Sequence, residues 1–386
     1  MQRSHGITIE RVVLADRAGV YSLSLRDGTV AGIKQGEDGE ARWLALPGLA
    51  NLHAHADRSY AVELFRPRSF ADAVAAATAG RAGFTSGDVE KRATRFFESS
   101  ISHGVTRLRT HTDIDPIVDL RCMQGVLAAK CAVAPRLDVD VVAFSTSRND
   151  LAEPHAVELL ERAVELGADF LGASLNASSD APRALDTLFT LAERSNLPVD
   201  LHLDEHMEPG RTLAPMVAEA VIARGLQGRV TFSHLCVLSA LEADPARGLI
   251  DKIAAADITV IALPETNLLL QDRVDGSPRR RGLTLVRELL AAGVKLRLGS
   301  DNVRDWFYPF GDGDMLDTAR LAVIAAHLDD TAELVGAICD GRHAIEERAP
   351  ADLVLIPACS LDDALARRPA GRIVFKSGRQ VAGPLL

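Results

Sequence analysis

Short apolar runs alternate with longer amphipathic stretches through most of this chain. Each run has the length of a buried strand, and the stretch after it carries apolar residues at i, i+3 and i+4, as a helix does. The stretch from His155 to Gly167 is typical, since its apolar spacing is helical and a glycine ends it. The eight predicted strands are Leu49 to His53, Val105 to His111, Val139 to Phe144, Phe170 to Leu175, Val199 to Leu203, Val230 to Leu235, Thr259 to Leu263 and Lys295 to Leu298.

Eight successive strand-helix units predict a (β/α)8 TIM barrel. A doubly wound open sheet also alternates in this way, but it places its chemistry at one switch point. Polar candidate residues here end the first, fifth, sixth and eighth strands, and only a closed barrel brings those ends to one face. The chain ends show β-rich patterns at residues 7–36, 351–356 and 372–376 instead. We therefore expect a barrel at residues 47–345 and a small β-sandwich composed of residues 1–46 and 346–386.

Two histidines, His53 and His55, end the first predicted strand. Side chains alternate between the faces of a strand, so residues two apart project to the same side. A buried histidine is often only a core residue, but His202, His234 and Asp301 end three other predicted strands. Imidazole nitrogens and a carboxylate are ligands that divalent transition metals accept. The sequence therefore predicts a metal site at the C-terminal face of the barrel.

Composition narrows the range of partners. The 386 residues are 47% hydrophobic and 25% charged, as in ordinary globular proteins. A net charge of −10 and a pI near 5.6 argue against a nucleic acid or a membrane surface, because both attract clustered positive charge. The five cysteines include no CxxC pair, and neither a signal-peptide pattern nor a membrane-length apolar stretch is present. We expect a small-molecule substrate, a cytoplasmic location and a homo-oligomer.

Six segments carry distinctive motifs, in order along almost the whole chain: Leu46 to Asp57, Arg107 to Asp113, Asp200 to Glu205, Ser233-His234, Gly282 to Val286, and Ser300 to Val303 with Tyr308-Pro309. Together they resemble the amidohydrolase superfamily, and within it the cytosine deaminase branch. The chain is also similar to triazine hydrolases of the N-isopropylammelide amidohydrolase type. The resemblance implies a barrel with a split β-sandwich, four metal ligands at His53, His55, His202 and Asp301, and a His234 that orients the attacking water.

Hydrolysis at a ring carbon needs an activated water, a base for its proton and an acid for the departing nitrogen. A divalent metal with an open position lowers the pKa of a bound water toward neutrality. Asp301 suits the base because it reaches both metal and water, and Glu205, just past His202, suits the acid. Asp204 shares a strand face with His202 and stays an alternative acid. No lysine ends the fourth strand, where two-metal relatives carry a carboxylated bridge, so we expect one ion, zinc or iron, with manganese as a further candidate.

Three other residues or patterns have two interpretations. His111 ends the second strand and either supports the metal ligands or is a hydrogen-bonding core residue. Cys236 lies two residues beyond His234, and a buried structural thiol is favoured over a site residue. The segment His202 to His206 matches the H-x-x-E-H pattern of some zinc proteases, but that pattern requires a helix and this segment is strand-like.

Residues beyond the metal ligands depart from the cytosine deaminases. Thr146 stands where those relatives carry a glutamine, and a hydroxyl cannot make the paired contacts of an amide. Asn302 follows Asp301, where cytosine deaminase has a second aspartate and triazine-acting relatives have asparagine. We expect Thr146, Asn302, Trp306 and Phe307 to line the pocket, with the two aromatic residues covering a flat ring.

The sequence therefore predicts a metal-dependent deaminase that releases ammonia or a small amine from a pyrimidine-like or triazine-like N-heterocycle other than cytosine. Hydrolysis of a cyclic amide or imide on the same scaffold is one alternative, with Glu205 protonating a ring nitrogen. A metal-retaining binding protein without turnover is the other. Such a protein would have no chemical need for Glu205, His234 and Asp301 together.

Overall fold

The computed structural model describes residues 6–36, 39–273 and 280–386. The strands are β1 Ile7–Leu14, β2 Arg17–Arg26, β3 Thr29–Gln35, β4 Trp43–Pro47, β5 Leu49–Ala54, β6 Val105–Ile114, β7 Asp138–Ser145, β8 Phe170–Ala173, β9 Val199–Leu203, β10 Val230–His234, β11 Thr259–Ala262, β12 Leu296–Leu298, β13 Leu353–Ile356, β14 Ile373–Lys376 and β15 Arg379–Ala382. The helices are α1 Phe70–Arg81, α2 Ser86–Ser102, α3 Arg121–Val133, α4 Pro154–Leu166, α5 Ala181–Ser195, α6 Ala214–Ala223, α7 Ala243–Ala255, α8 Pro264–Leu270, α9 Val286–Ala291, α10 Met315–Ala326, α11 Thr331–Ile338 and α12 Leu361–Arg367.

Strands β5 to β12 form one parallel sheet in chain order. The segment after β12 returns to β5, where the backbone N–H of Asp301 donates to the carbonyl of His53 at 2.8 Å. Gly299 permits this approach, because a Cβ at that position would lie 2.7 Å from the Cβ of His53. The sheet therefore closes beside the predicted metal ligands, and the (β/α)8 barrel predicted from the sequence is confirmed.

The outer helices pack one apolar face onto the barrel. In α5 the buried residues recur at helical spacing, with Ala184, Leu188 and Leu191 facing the core and polar residues facing solvent. Full burial of one such leucine contributes roughly 1.5–3 kcal/mol. The strands beneath are buried on both faces, as in the fully buried β9. This double burial explains why the strand runs appear in the sequence as continuous apolar segments.

The two chain ends join in a second, seven-stranded sheet, with the order β15-β14-β13-β4-β1-β2-β3. Strand β4 links its halves, because it pairs parallel with β1 and antiparallel with β13. Leu44 and Leu46 of β4 enter the barrel core, whereas Trp43 and Ala45 enter the separate core of this sheet. The terminal segments therefore form the small β-structure expected beside the barrel.

The first connection of the barrel contains an additional helix. Chain between β5 and α2 holds α1, whose N-cap Ser69 accepts a hydrogen bond from the backbone N–H of Asp72. Gly80 near the end of α1 lies against Trp306, since a Cβ there would be 2.1 Å from the indole. This contact places α1 beside the C-terminal face of the barrel. Across the described ranges, every helix is too short or too polar to cross a bilayer.

Candidate active site

The structure brings the five predicted strand-end residues together at the C-terminal face of the barrel. Each of them is at most 8% exposed: His53, His55, His202, His234 and Asp301. The Nε2 atoms of His55 and His202 are 3.1 Å apart. Asp301 Oδ1 lies 3.4 Å from His55 Nε2 and 3.6 Å from His53 Nε2. The ligand atoms of His53, His55 and His202 lie within 4.8 Å of one another, and so do those of His53, His234 and Asp301.

The unpaired atoms of this cluster fit a divalent metal. Among the described residues, the buried atoms His53 Nε2 and Asp301 Oδ2 have no hydrogen-bond partner, and the Nε2 atoms of His55 and His202 meet each other at 3.1 Å. Buried polar atoms are nearly always paired, and an orphan costs about 1–3 kcal/mol. Burial also lowers the pKa of His53, His55 and His202 well below the ordinary value. Neutral rings with free lone pairs beside a carboxylate are a suitable donor set for zinc or iron.

A chain of hydrogen bonds fixes the orientation of His53. Ser233 Oγ lies 2.8 Å from His53 Nδ1 and donates to Asp200 Oδ1 at 2.8 Å. Arg109 Nη1 donates to the other oxygen of Asp200 at 2.8 Å. Because the serine proton is committed to Asp200, Ser233 accepts from His53, which places the His53 proton on Nδ1 and leaves Nε2 for a metal. His111 packs against His53 with ring centroids 4.0 Å apart, in a supporting position.

Asp204 and Glu205 have different environments. The Asp204 carboxylate accepts hydrogen bonds from Leu213 N, Ala214 N and Asn176 Nδ2, so it holds the start of α6. Glu205 instead lines the cavity beside the metal cluster, with Oε1 3.4 Å from His234 Nδ1. Burial and the nearby negative charge of Asp301 raise the pKa of Glu205 well above its usual range. Of these two carboxyls, Glu205 is therefore the one that lines the cavity.

His234 is a neutral ring at the edge of the cluster. Burial lowers its pKa to about 3. Asn267 Nδ2 lies 3.0 Å from His234 Nδ1, and an amide N–H can only donate. The ring proton of His234 consequently sits on Nε2, the atom without a partner among the described residues. Sequence analysis missed Asn267, which follows β11 and carried no distinguishing motif.

A cavity of about 200 Å³ opens beside the cluster. Three of the four predicted substrate-contact residues line it: Thr146, Asn302 and Phe307. The α1 helix forms one wall through Phe70 and Val74. The cavity therefore combines the predicted metal cluster with a partly aromatic, partly polar lining.

Trp306 does not line this cavity, and the sequence prediction requires correction there. Its indole is 7% exposed and lies 6.0 Å from the ring of Phe84, against Gly80 of α1. Asp305 Oδ1 accepts from the backbone N–H of Phe307, which tightens this turn. The large apolar indole is buried behind α1, so Phe307 alone of the two aromatic residues reaches the cavity.

Two buried arginines, Arg58 and Arg81, also line the cavity and were not predicted. Arg58 Nη1 donates to Asp113 at 3.0 Å and its Nε donates to Asp305 at 3.2 Å. The guanidinium carbon of Arg58 lies 4.8 Å from the centre of the Phe307 ring. Arg58 immediately follows the histidine motif and could have been suspected, whereas Arg81 is indistinguishable in sequence from an ordinary cation at a helix end.

Comparisons with known proteins agree with this geometry. The Amidohydro_3 model, described as an amidohydrolase family, matches residues 88–382. A pterin deaminase from Rhizobium rhizogenes (strain K84 / ATCC BAA-868) is 32% identical over 87% of this chain and 80% of its own length. The N-isopropylammelide isopropyl amidohydrolase of Pseudomonas sp. (strain ADP) is 24% identical, with 98% of each chain covered. The crystal structure of 5-methylcytosine deaminase from Klebsiella pneumoniae with 5-fluorocytosine superposes with a TM-score of 0.89 at 25% identity, over 98% of each chain. This chain belongs to the amidohydrolase family.

Proposed function

We propose that this protein is a metal-dependent hydrolytic deaminase that releases ammonia or a small amine from an N-heterocycle. The observation that carries the proposal is the buried cluster of neutral imidazoles and Asp301, with Glu205 at the same cavity. The three relatives support it, because their names describe a pterin deaminase, an N-isopropylammelide hydrolase and a 5-methylcytosine deaminase. All three names refer to nitrogen-containing rings.

His53, His55, His202 and Asp301 would hold one divalent ion, and zinc, iron and manganese are the candidates. When bound, such an ion lowers the pKa of a water toward neutrality and so supplies a nucleophile at pH 7. The residue after β8 is Ser174, and no lysine is available there for a bridge between two ions.

The side chains supply the proton transfers. Asp301 Oδ2 takes a proton from the attacking water as the C–O bond forms at the ring carbon. His234 donates from Nε2 to the oxygen of the tetrahedral centre and keeps it in place. Burial raises the pKa of Glu205 well above its usual range, which favours the protonated carboxyl, and Glu205 delivers this proton to the departing nitrogen as the C–N bond breaks. The electron pair of the ring C=N bond moves to the ring nitrogen as water adds, and it re-forms that bond as ammonia or an amine leaves. The added hydroxyl then passes its proton to the ring nitrogen, which leaves an oxo group on the ring. The proton held by Asp301 returns to Glu205 and restores the starting state.

Cytosine is a poor candidate substrate for this site. Thr146 occupies the position that we matched to the glutamine of cytosine deaminases, and its hydroxyl donates to Asp115 Oδ2 at 2.8 Å. It is therefore committed to the protein and cannot pair with an amide-like ring edge. We propose pterins, whose ring carries an amino group, as the first class to test, since the 32% identical relative is a pterin deaminase.

The test is an ammonia-release assay on metal-loaded protein with pterin, aminotriazines and cytosine. We expect ammonia in a one-to-one ratio with the oxo product, and a kcat/KM for cytosine at least about tenfold below the best substrate. The variant His202→Asn, which loses one proposed ligand, is the control and should release none. Ring opening without ammonia would identify a cyclic amide hydrolase, and tight ligand binding without turnover would identify a binding protein.

A further inference from the structure

Arg81 is held rigidly at the wall of the cavity. It is the last residue of α1 and is 5% exposed. Its Nη1 donates to Asp113 Oδ2 at 2.5 Å and to Asp115 Oδ2 at 3.0 Å, and its Nε donates to the carbonyl of Ala77 at 3.3 Å. Asp113 lies at the end of β6 and Asp115 directly follows that strand. The guanidinium is thus fixed between the additional helix and the second barrel strand.

One nitrogen of this guanidinium has no hydrogen-bond partner among the residues that the structure describes. Within the described ranges, the hydrogen bonds of Arg81 use only Nε and Nη1. The Nη2 atom has no partner among the described residues, yet it is not fully enclosed by protein. It therefore borders space that solvent reaches. The residue itself lines the cavity beside Ala77 and Thr78. Arg81 therefore lines the cavity with one guanidinium nitrogen that no described residue uses, and its other two nitrogens hold the group in place.

Thr146 cannot supply this donor. Its hydroxyl donates a hydrogen bond to Asp115 Oδ2, the same oxygen that accepts a hydrogen bond from Arg81 Nη1. A hydroxyl has one proton, so Thr146 can only accept from a ligand. The cytosine deaminases carry a glutamine at the position that we matched to Thr146. In this chain, Arg81 instead of Thr146 can donate a hydrogen bond on this wall of the cavity.

The charges around Arg81 indicate what kind of acceptor it would meet. Arg58 and Arg81 face three carboxylates, those of Asp113, Asp115 and Asp305. Their positive charge is already balanced, so a further carboxylate on the ligand would find no net attraction. A neutral carbonyl oxygen fits better, because it accepts a hydrogen bond without adding charge.

We propose that Arg81 is a substrate-binding residue that donates from Nη2 to a ring oxo group of the heterocycle, and so selects amino-oxo rings over their deoxo analogues. The inference rests on the proposed function for the identity of the ligand as an amino heterocycle. A charge-assisted hydrogen bond of this kind changes affinity by roughly 10- to 100-fold.

The experiment measures binding separately from turnover. Metal-loaded Glu205→Gln serves as the background, because loss of the acid slows conversion of the ligand by about 100-fold or more. Dissociation constants for pterin and for 2-aminopteridine, which lacks the ring oxo group, are obtained by fluorescence titration. Arg81→Gln is added to this background, and Arg121→Gln is the matched control. Among the residues that the structure describes, Arg121 bonds only to the backbone carbonyls of Phe84 and Ile117, and it does not line the cavity.

We expect Arg81→Gln to weaken pterin binding by about 10- to 100-fold and 2-aminopteridine binding by less than about threefold. The control should change neither. Equal weakening of both ligands, or no change in either, would overturn the proposal. The proposal would also be overturned if the protein with Arg81 intact bound pterin less than tenfold more tightly than 2-aminopteridine. This measurement does not depend on the folding of any Arg81 variant. Failure of the proposed function would appear differently, as absence of ammonia release by the wild type across the whole panel.

Discussion

Replacement of Ser233 by alanine tests how the protein prepares His53 for a metal. The serine hydroxyl connects His53 Nδ1 with Asp200 through two contacts of 2.8 Å. The change removes both contacts and leaves the four proposed ligands in place. Asp200 keeps its hydrogen bond from Arg109, so the main loss falls on His53.

The magnitude follows from the burial of His53, which is 0% exposed. Without Ser233, a proton on Nδ1 has no acceptor, at a cost of about 1–3 kcal/mol. The metal-free ring avoids this cost by moving its proton to Nε2, but metal binding must reverse that shift. The cost therefore appears in metal affinity, as a loss of roughly 10- to 100-fold, the usual effect of removing a group that orients a ligand.

Chelator competition on Ser233→Ala gives the metal dissociation constant, and urea denaturation of the metal-free protein gives its folding stability. Ser145→Ala is the matched control, because Ser145 is also a buried serine at a barrel strand end but contacts Asn149 instead of a histidine. A metal affinity within twofold of wild type, in a variant that folds normally, would refute the assigned role of Ser233.

Three further predictions concern proton transfer, buried charge and the α1 wall. Glu205→Gln should keep its metal content and lose turnover by about 100-fold or more, whereas Asp204→Asn should mainly lower folding stability; a hundredfold loss in the second variant alone would reverse their roles. Burial raises the pKa of Glu265 to about 8, so between pH 4.5 and 8 the native carboxyl holds a proton that the unfolded chain has lost, and stability falls as pH rises. In urea denaturation, the free energy of unfolding of Glu265→Gln should equal that of wild type near pH 4.5 and exceed it by ~2–4 kcal/mol at pH 8. Equal pH profiles of the two proteins would contradict this. Gly80→Ala should displace the Trp306 indole and raise KM without lowering metal content; unchanged kinetics would show that this contact does not position α1.

Much of the barrel could be predicted because its periodicity is strong. Strands buried on both faces leave continuous apolar runs, and the interspersed helices leave a repeating apolar stripe. The additional helix α1 was not predicted, since its alanine-rich segment lacks a pronounced apolar face. Local patterns also could not indicate that residues 348–351 pair with β3 and close the terminal sheet.

The clustering of the candidate metal ligands was predictable for a different reason, namely that these residues end strands that a barrel must bring together. The substrate side was less accessible, because the direction of a loop side chain depends on tertiary packing. Trp306 and Phe307 are adjacent in sequence, yet one lies behind α1 and the other reaches the cavity. Arg81 lines the cavity because it is the last residue of α1, the helix that the sequence did not predict. The expected homo-oligomer and the cytoplasmic location stay predictions.

The most direct test of the central claim is ammonia release by metal-depleted and metal-restored protein acting on the same amino heterocycle. The account predicts one ammonia per ring converted, loss of turnover when a chelator removes the metal, and recovery when one equivalent of zinc, iron or manganese is returned. Undiminished turnover after complete metal removal, or conversion of the ring without ammonia or amine release, would contradict it.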